Sequence, residues 1–297
     1  MRRIASLGGL VLGLALGSAV PAAAAGSATR ATHGCAKTLT RDIPARPAAA
    51  PSGSAVMNKL LDLSGSKRDA AVRDQLLAGN VPGFLRDLAP VRFSGTEPDG
   101  SKVEVTICVT PDYLAVGNDR DFVRVPLGLP AAAEVADRFG FLLPTPKMVD
   151  AIYRQAQVRL APSPMQPGRM MTSTAYLLRH NHTVQSQRAR LGVSQDELTA
   201  GDKKDVVLSA RLRRAPGKVA IYGWHRSNGR PIQPLSTVHV ARYADYSHGI
   251  RLVSDTAFVN GKPVPLATVM QDPKLAALIS REGPIAKPRQ LLASLYR

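Results

Sequence analysis

Val91-Arg92-Phe93-Ser94-Gly95-Thr96-Glu97-Pro98-Asp99-Gly100-Ser101-Lys102-Val103-Glu104-Val105-Thr106-Ile107-Cys108-Val109 is the stretch whose reading decides the fold class. Val103, Val105, Ile107 and Val109 recur every second residue, so they share one face of a strand. Glu97-Pro98-Asp99-Gly100 has the composition of a turn. The whole region 91–125 reads as β, with further strands over Tyr113–Val116 and Phe122–Val125 joined at Gly117-Asn118-Asp119. Helical patterns flank it on both sides.

Before it, Val56–Leu63 is amphipathic, Ser66 caps a helix that runs through Leu77 to Gly79, and Pro82 opens a third through Leu88. After it, Pro130 opens a helix to Phe139, Pro146 another through Val158, and Ser173 caps one through about Arg190. Strand signals return at Asp205–Leu208, Val219–Tyr222, Val238–Tyr243 and Ile250–Val253. Asn260-Gly261 reads as a hairpin turn, and Leu266–Ile279 as a last helix. Helices, strands, helices, strands is the order of an α+β protein, not of regular βαβ units. The expectation is a helical N-terminal part and a mixed or antiparallel sheet in a single compact domain, 55–297.

Residues 1–25 read as a secretory signal. Arg2 and Arg3 supply the positive start, an apolar run from Leu7 to Val20 follows, and Ala23-Ala24-Ala25 is a small-residue cleavage site. The run is too short and Gly-rich for a membrane span, and no later segment is apolar enough for one. Residues 26–54, rich in Ala, Pro, Ser and Gly, read as a flexible lead-in. The expected location is secreted or periplasmic.

The formal charge of +17 falls to +15 when the two signal arginines are removed. Basic residues are dispersed, with Arg211-Leu212-Arg213-Arg214 the densest group, the pattern of a solvated surface, and charge alone does not choose among wall polymers, lipid headgroups, acidic polysaccharide and nucleic acid. The expected partner is an anionic envelope polymer or polysaccharide, with no specific nucleic acid. Of the two cysteines, Cys35 and Cys108, an oxidising compartment makes a disulfide the simplest account. Its loop would stabilise the fold by about 4 kcal/mol in the chain-entropy treatment. A catalytic thiol is the competing reading.

Chemistry-bearing side chains crowd into Lys218–Asp255, which holds His225, His239 and His248 of the six histidines, the single tryptophan Trp224, and three of the seven tyrosines. His225 or His239 is the candidate general base, Asp245 its orienter, and His248 an acid or ligand. Lys203, Lys204 and Arg251 are candidate anion contacts, and Trp224 and Tyr246 candidate binding residues. Ser247 is the one plausible nucleophile, reachable from His225 or His239 but not from His248, its strand neighbour. A buried polar network joining strand ends is the bland alternative. No cofactor is expected. Zinc held by His225, His239 and His248 is the competing reading, although their spacing fits no zinc motif. His180-Asn181-His182 on a helix would point its rings about 200° apart, away from a common ion.

Ser247-His248-Gly249-Ile250-Arg251-Leu252 resembles the S-H-G-C-[IVR]-R-[LM] signature of the L,D-transpeptidases, and Tyr222-Gly223-Trp224-His225 stands roughly where that family has its upstream histidine. The resemblance covers about 38 residues and lacks the cysteine between Gly249 and Ile250. The family's thiolate chemistry is therefore not available here. A broader set of phrases resembles an exported bacterial protein family of unassigned function: Pro111–Phe122, Leu143–Asp150, Gly201–Val207 and Asp245–Gly249. It implies a defined exported fold and no reaction. Two functions are carried forward: a hydrolase or acyl-transfer enzyme acting on an envelope or extracellular polymer, and a non-catalytic polysaccharide-binding protein in which Trp224, Tyr222, Tyr243 and Tyr246 stack on sugars.

Overall fold

The computed structural model describes residues 34–96 and 99–297. The expected signal sequence, the start of the lead-in, and Glu97 and Pro98 of the expected turn lie outside them. The described part of the lead-in is fastened rather than trailing. Cys35 is bonded to Cys108, with Cα atoms 5.5 Å apart. Ile43 is buried, and Arg46 donates from Nε to Asn80 Oδ1 and to the Gly117 carbonyl, both at 3.0 Å. Composition alone suggested flexibility, and it could not register these distant anchors.

Two helices follow, α1 (Gly53–Asn58) and α2 (Gly65–Leu77), the second starting a residue earlier than its expected cap. The segment after Pro82 forms one 3₁₀ turn, Gly83–Arg86, in place of a helix to Leu88. Strand β1 (Ala89–Thr96) pairs antiparallel with β2 (Lys102–Val109), from Ala89 opposite Val109 to Thr96 opposite Lys102. The expected alternation holds at the start of β2, where Lys102 and Glu104 are exposed and Val103 and Val105 buried. From Thr106 onward both faces are covered. The short hairpin β3 (Ala115–Gly117) and β4 (Phe122–Arg124) comes next, then α3 (Leu129–Arg138), β5 (Phe141–Leu142) and α4 (Pro146–Gln155). The Thr145 hydroxyl caps α4 by accepting from Met148 N at 3.2 Å.

Two two-residue strands, β6 (Val158–Arg159) and β7 (Thr199–Ala200), pair in parallel around α5 (Thr174–Ala189). The second sheet is built from β8 (Lys204–Val206), β9 (Ile221–His225), β10 (Pro231–Ser236) and β11 (His248–Gly249), in the order β10-β9-β8-β11. Pro231 and Pro234 gave no strand signal in the sequence. They are accommodated because β10 is an edge, where a missing N–H breaks no ladder bond. Val238–Tyr243, expected as a strand, makes only an isolated bridge from Val240 to Lys218, and Val238 and Val240 are exposed. Alternating residues there find no partner strand.

Strand β12 (Val253–Val259) joins the first sheet between β2 and β13 (Lys262–Pro265), with β5 also on it. Asn260 and Gly261 turn the β12–β13 hairpin with φ of 47° and 78°. The expected last helix is split into α6 (Leu266–Gln271) and α7 (Ala276–Ile279), because Pro273 interrupts it, and α8 (Pro288–Ser294) closes the chain. One hydrophobic core runs from Ile43 to Leu292 and takes in both sheets, so the α+β, single-domain expectation holds. Among the described residues no helix is long and apolar enough to cross a membrane.

Candidate functional site

The second sheet sets Lys204, Gly223 and His248 abreast: β8 pairs Lys204 with Gly223 of antiparallel β9 and with His248 of parallel β11. At this row β9 is bent. Gly223 has φ of 110° and Trp224, not a glycine, has φ of 58°. A left-handed non-glycine residue costs on the order of 1–3 kcal/mol and persists only where its surroundings impose it. The bend has a geometric result. Tyr222 and His225, an odd number of residues apart, would face opposite sides of a regular strand. Here both reach one carboxylate.

That carboxylate is Asp150, on α4. His225 Nε2 is 2.7 Å from Asp150 Oδ1, the Tyr222 hydroxyl donates to Oδ1 at 2.9 Å and Oδ2 at 3.1 Å, and an Arg281 guanidinium nitrogen lies 2.5 Å from Oδ2. Burial pushes the Asp150 carboxyl up, but the hydrogen bonds of His225, Arg281 and Tyr222 outweigh it, so the group sits below its ordinary value. Burial and the Asp150 charge push the Tyr222 hydroxyl up to about 12. Tyr153, also on α4, stacks on His225 with ring centroids 4.5 Å apart and fixes its own ring by donating to the Arg226 carbonyl at 2.8 Å. The Arg281 side chain is 55 % exposed, so this buried pair lies just beneath the surface.

Asp205 stands across Gly223 from the imidazole. A Cβ at Gly223 would lie 3.4 Å from Asp205 Oδ2 and 3.6 Å from His225 Cε1. Burial pushes the Asp205 carboxyl up to about 7, against the pull of Arg251 and of the Tyr113 hydroxyl, which donates to it at 3.1 Å.

A second group gathers around His248. Tyr243 stacks on His239 with centroids 4.2 Å apart and meets His248 edge-on at 5.7 Å. Asp245 accepts from the Tyr243 hydroxyl at 3.0 Å, from Ser247 N at 2.8 Å and from Ser247 Oγ at 2.5 Å. Burial, helped by the charges of Lys204 and His239, pushes His248 down to about 4 in spite of Asp245. Lys204 lies over the Trp224 ring at 5.0 Å. Lys203 points elsewhere, its Nζ 3.0 Å from His180 Nδ1 and 2.6 Å from the Tyr246 carbonyl, and burial lowers it to about 8.

The residues read together as one catalytic cluster are thus divided. His225 belongs with Asp150, while His239, Asp245 and His248 form a separate group. Asp245 orients no histidine by hydrogen bonding; its oxygens are taken by Tyr243 and Ser247. The Ser247 hydroxyl is committed to Asp245, with no imidazole on it. Arg251 is not a surface anion contact: it is fully buried, donates to the Thr110 carbonyl at 2.8 Å and the Thr199 carbonyl at 2.5 Å, and covers the Tyr113 ring. Tyr246 is buried, with its hydroxyl accepting from Met165 N at 2.7 Å. Cys108 is disulfide-bonded, which removes the thiol reading. His180 is buried on α5 and His182 exposed, as the helical period requires. Among the described residues no group of three His, Cys, Asp or Glu side chains could hold a metal ion, and the division of the histidines leaves the three-histidine zinc reading without a site.

Sequence reasoning missed Asp150, Tyr153 and Arg281. Asp150 gave one faint signal, a carboxylate set between Val149 and Ala151-Ile152 in an otherwise apolar helical run. Arg281 gave none. No protein-family model matches the chain, and comparison with curated proteins and with solved structures found no match either.

Proposed function

We propose that the protein is an exported enzyme that hydrolyses a bond in a cell-envelope or extracellular polymer, with His225 as general base. The observation that carries this reading is the 2.7 Å pair of His225 Nε2 and Asp150 Oδ1. A carboxylate kept ionised by Arg281 and Tyr222 accepts the Nε2 proton, which fixes the tautomer and leaves the lone pair on Nδ1. Water at Nδ1 gives up a proton to the ring as its oxygen attacks. In this reading Asp205, which keeps its proton to about pH 7, protonates the leaving atom, and the imidazolium then returns a proton to the Asp205 carboxylate through solvent. Two groups with their proton affinities pushed apart by environment suit this division of roles.

Hydrolysis is favoured over acyl transfer through the protein. The position where the L,D-transpeptidase signature has cysteine passes directly from Gly249 to Ile250, which is fully buried, and neither the Ser247 hydroxyl, which is committed to Asp245, nor the bonded cysteines are hydrogen-bonded to an imidazole. Sugar stacking is disfavoured by burial: Trp224, Tyr222 and Tyr246 are 5 %, 8 % and 2 % exposed, leaving only Tyr243 partly open. The strongly basic chain fits an anionic polymer, drawn in by long-range attraction.

The test is release of soluble fragments from purified cell-wall sacculi and from acidic polysaccharides. His225→Ala should slow release by about 10²–10⁴-fold, and Asp150→Asn should slow it while the far-UV spectrum and melting curve stay those of a folded protein. Undiminished release by His225→Ala, or no release by the unaltered protein from any of these polymers, overturns the reading.

A further inference from the structure

Val238-His239-Val240 alternates like a strand but has none beside it. His239 turns its ring onto Tyr243, so both valines point the other way, to the outside. They are 74 % and 58 % exposed, more than any other large apolar side chain among the described residues. We propose that this face, in which Val238 and Val240 lie beside Lys218 and the Arg211–Arg214 turn, docks the protein on an anionic lipid surface. The assignment goes beyond the hydrolase reading and uses none of its residues.

Backbone bonds hold the valines against the basic segment. Val219 N donates to the His239 carbonyl at 3.1 Å and Ala241 N to the Gly217 carbonyl at 2.7 Å, which makes Lys218 and Val240 direct partners. Antiparallel partners carry their side chains on the same side, with Cβ atoms about 5 Å apart. Lys218 Nζ also donates to the Val238 carbonyl at 2.9 Å. Arg211 donates to the Leu235 carbonyl at 3.3 Å, so the densest basic group of the sequence adjoins the same loop. Arg213 and Lys218 line one cleft of about 320 Å³, together with Leu212, Leu291 and Leu295. Cations and open apolar surface therefore meet twice, side by side.

These cations face carbonyl groups more than acids. Arg213 donates to the Ala286 carbonyl and Lys218 to that of Val238. Of the group, only Arg211 meets a carboxylate among the described residues, Glu282 at 3.8 Å. That combination selects the partner. A dissolved polyanion would engage the cations and leave the valines in water. A second copy of the chain would set like charges against each other, which opposes pairing through this face. An anionic bilayer satisfies both: its headgroups meet Arg213 and Lys218 while the valines enter the interface.

The test is flotation of the purified full-length protein with vesicles of phosphatidylcholine, with and without phosphatidylglycerol. Binding should rise with phosphatidylglycerol and fall with added salt. The apolar Leu7–Val20 run is the same in every variant, so differences between variants report on this face. Val238→Ser with Val240→Ser should weaken binding to anionic vesicles by roughly tenfold or more. Arg213→Gln with Lys218→Gln, whose amides can still donate to the Ala286 and Val238 carbonyls, should weaken it by about 10–30-fold, near fivefold per charge. Melting curves check folding, and Val238→Ser alone replaces the valine pair if the pair melts early. His225→Ala should bind vesicles as the unaltered protein does, so loss of the hydrolase reading leaves this one standing. Equal binding with and without phosphatidylglycerol, or undiminished binding by the valine variant, overturns the proposal. So does binding to dextran sulfate in preference to vesicles, which would mark a polyanion surface, or a dimer that the valine change dissolves, which would mark a second copy as the occupant.

Discussion

Asp205 is the residue whose protonation can be followed apart from any substrate. It is buried, hydrogen-bonded by Tyr113, and its carboxyl is pushed up to about 7 from an ordinary value of 3.8. In the unfolded chain it ionises above 3.8, while in the fold it holds its proton until about 7. Over that window the folded state binds the extra proton, so this group's contribution to stability is full below 3.8 and is lost as pH rises toward 7. Asp205→Asn keeps an acceptor for Tyr113 and removes the titration. Relative to the unaltered protein, the variant should gain stability with pH between 4 and 7, by about 1.4 kcal/mol per pH unit at most. Denaturant unfolding at four pH values checks this. A constant difference between the two proteins would mean that Asp205 is ionised throughout, and it would remove the acid from the proposed mechanism.

At the scale of elements, local periodicity carried most of what could be read. The strand over Val103–Val109, the capped helix after Ser173 and the Asn260-Gly261 hairpin are all signalled by neighbouring residues, and all three appear in the structure, although the strand alternates in burial only as far as Val105. The hairpin allows a clean test. Gly261 has φ of 78° and a Cβ there would meet no atom within 4 Å, so Gly261→Ala adds only backbone strain. It should destabilise by about 1 kcal/mol, seen as a shift of the denaturation midpoint with an unchanged slope. No measurable shift would mean that the turn relaxes out of the left-handed region. What failed at this scale failed because partners are not local. Val238–Tyr243 alternates like a strand but has no strand beside it, and β10 was hidden by prolines that only an edge tolerates. The site shows the same limit. The crowding of histidines pointed to the second sheet, yet the carboxylate that His225 meets, Asp150, comes from α4, about 75 residues earlier, and Arg281, on the same carboxylate, comes from a loop beyond α7.

On the scale of the whole molecule, the long connections decide how the parts hold. Arg251, leading into β12, ties the carbonyls after β2 and in β7 together. Asp112 takes a bidentate grip from Arg124, at 3.0 and 2.5 Å, with Arg188 at 3.4 Å, all buried. The Cys35–Cys108 bond closes a sequence separation of 73 residues, from a segment with little regular structure onto the central strand β2. Holding a loop of that length closed in the unfolded chain removes enough of that chain's freedom to stabilise the fold by about 4 kcal/mol. The paired change Cys35→Ser and Cys108→Ser, which leaves no thiol to rearrange, should lower the unfolding free energy by that order. Cys108 is fully buried while Cys35 is only partly so. Release of the bond should therefore free the N-terminal segment first, and hydrogen exchange should quicken over residues 34–46 before it does in β2. If exchange instead rises first in β1 and β2, the bond serves to brace the sheet, and the segment before α1 is held by Ile43 and Arg46 on their own.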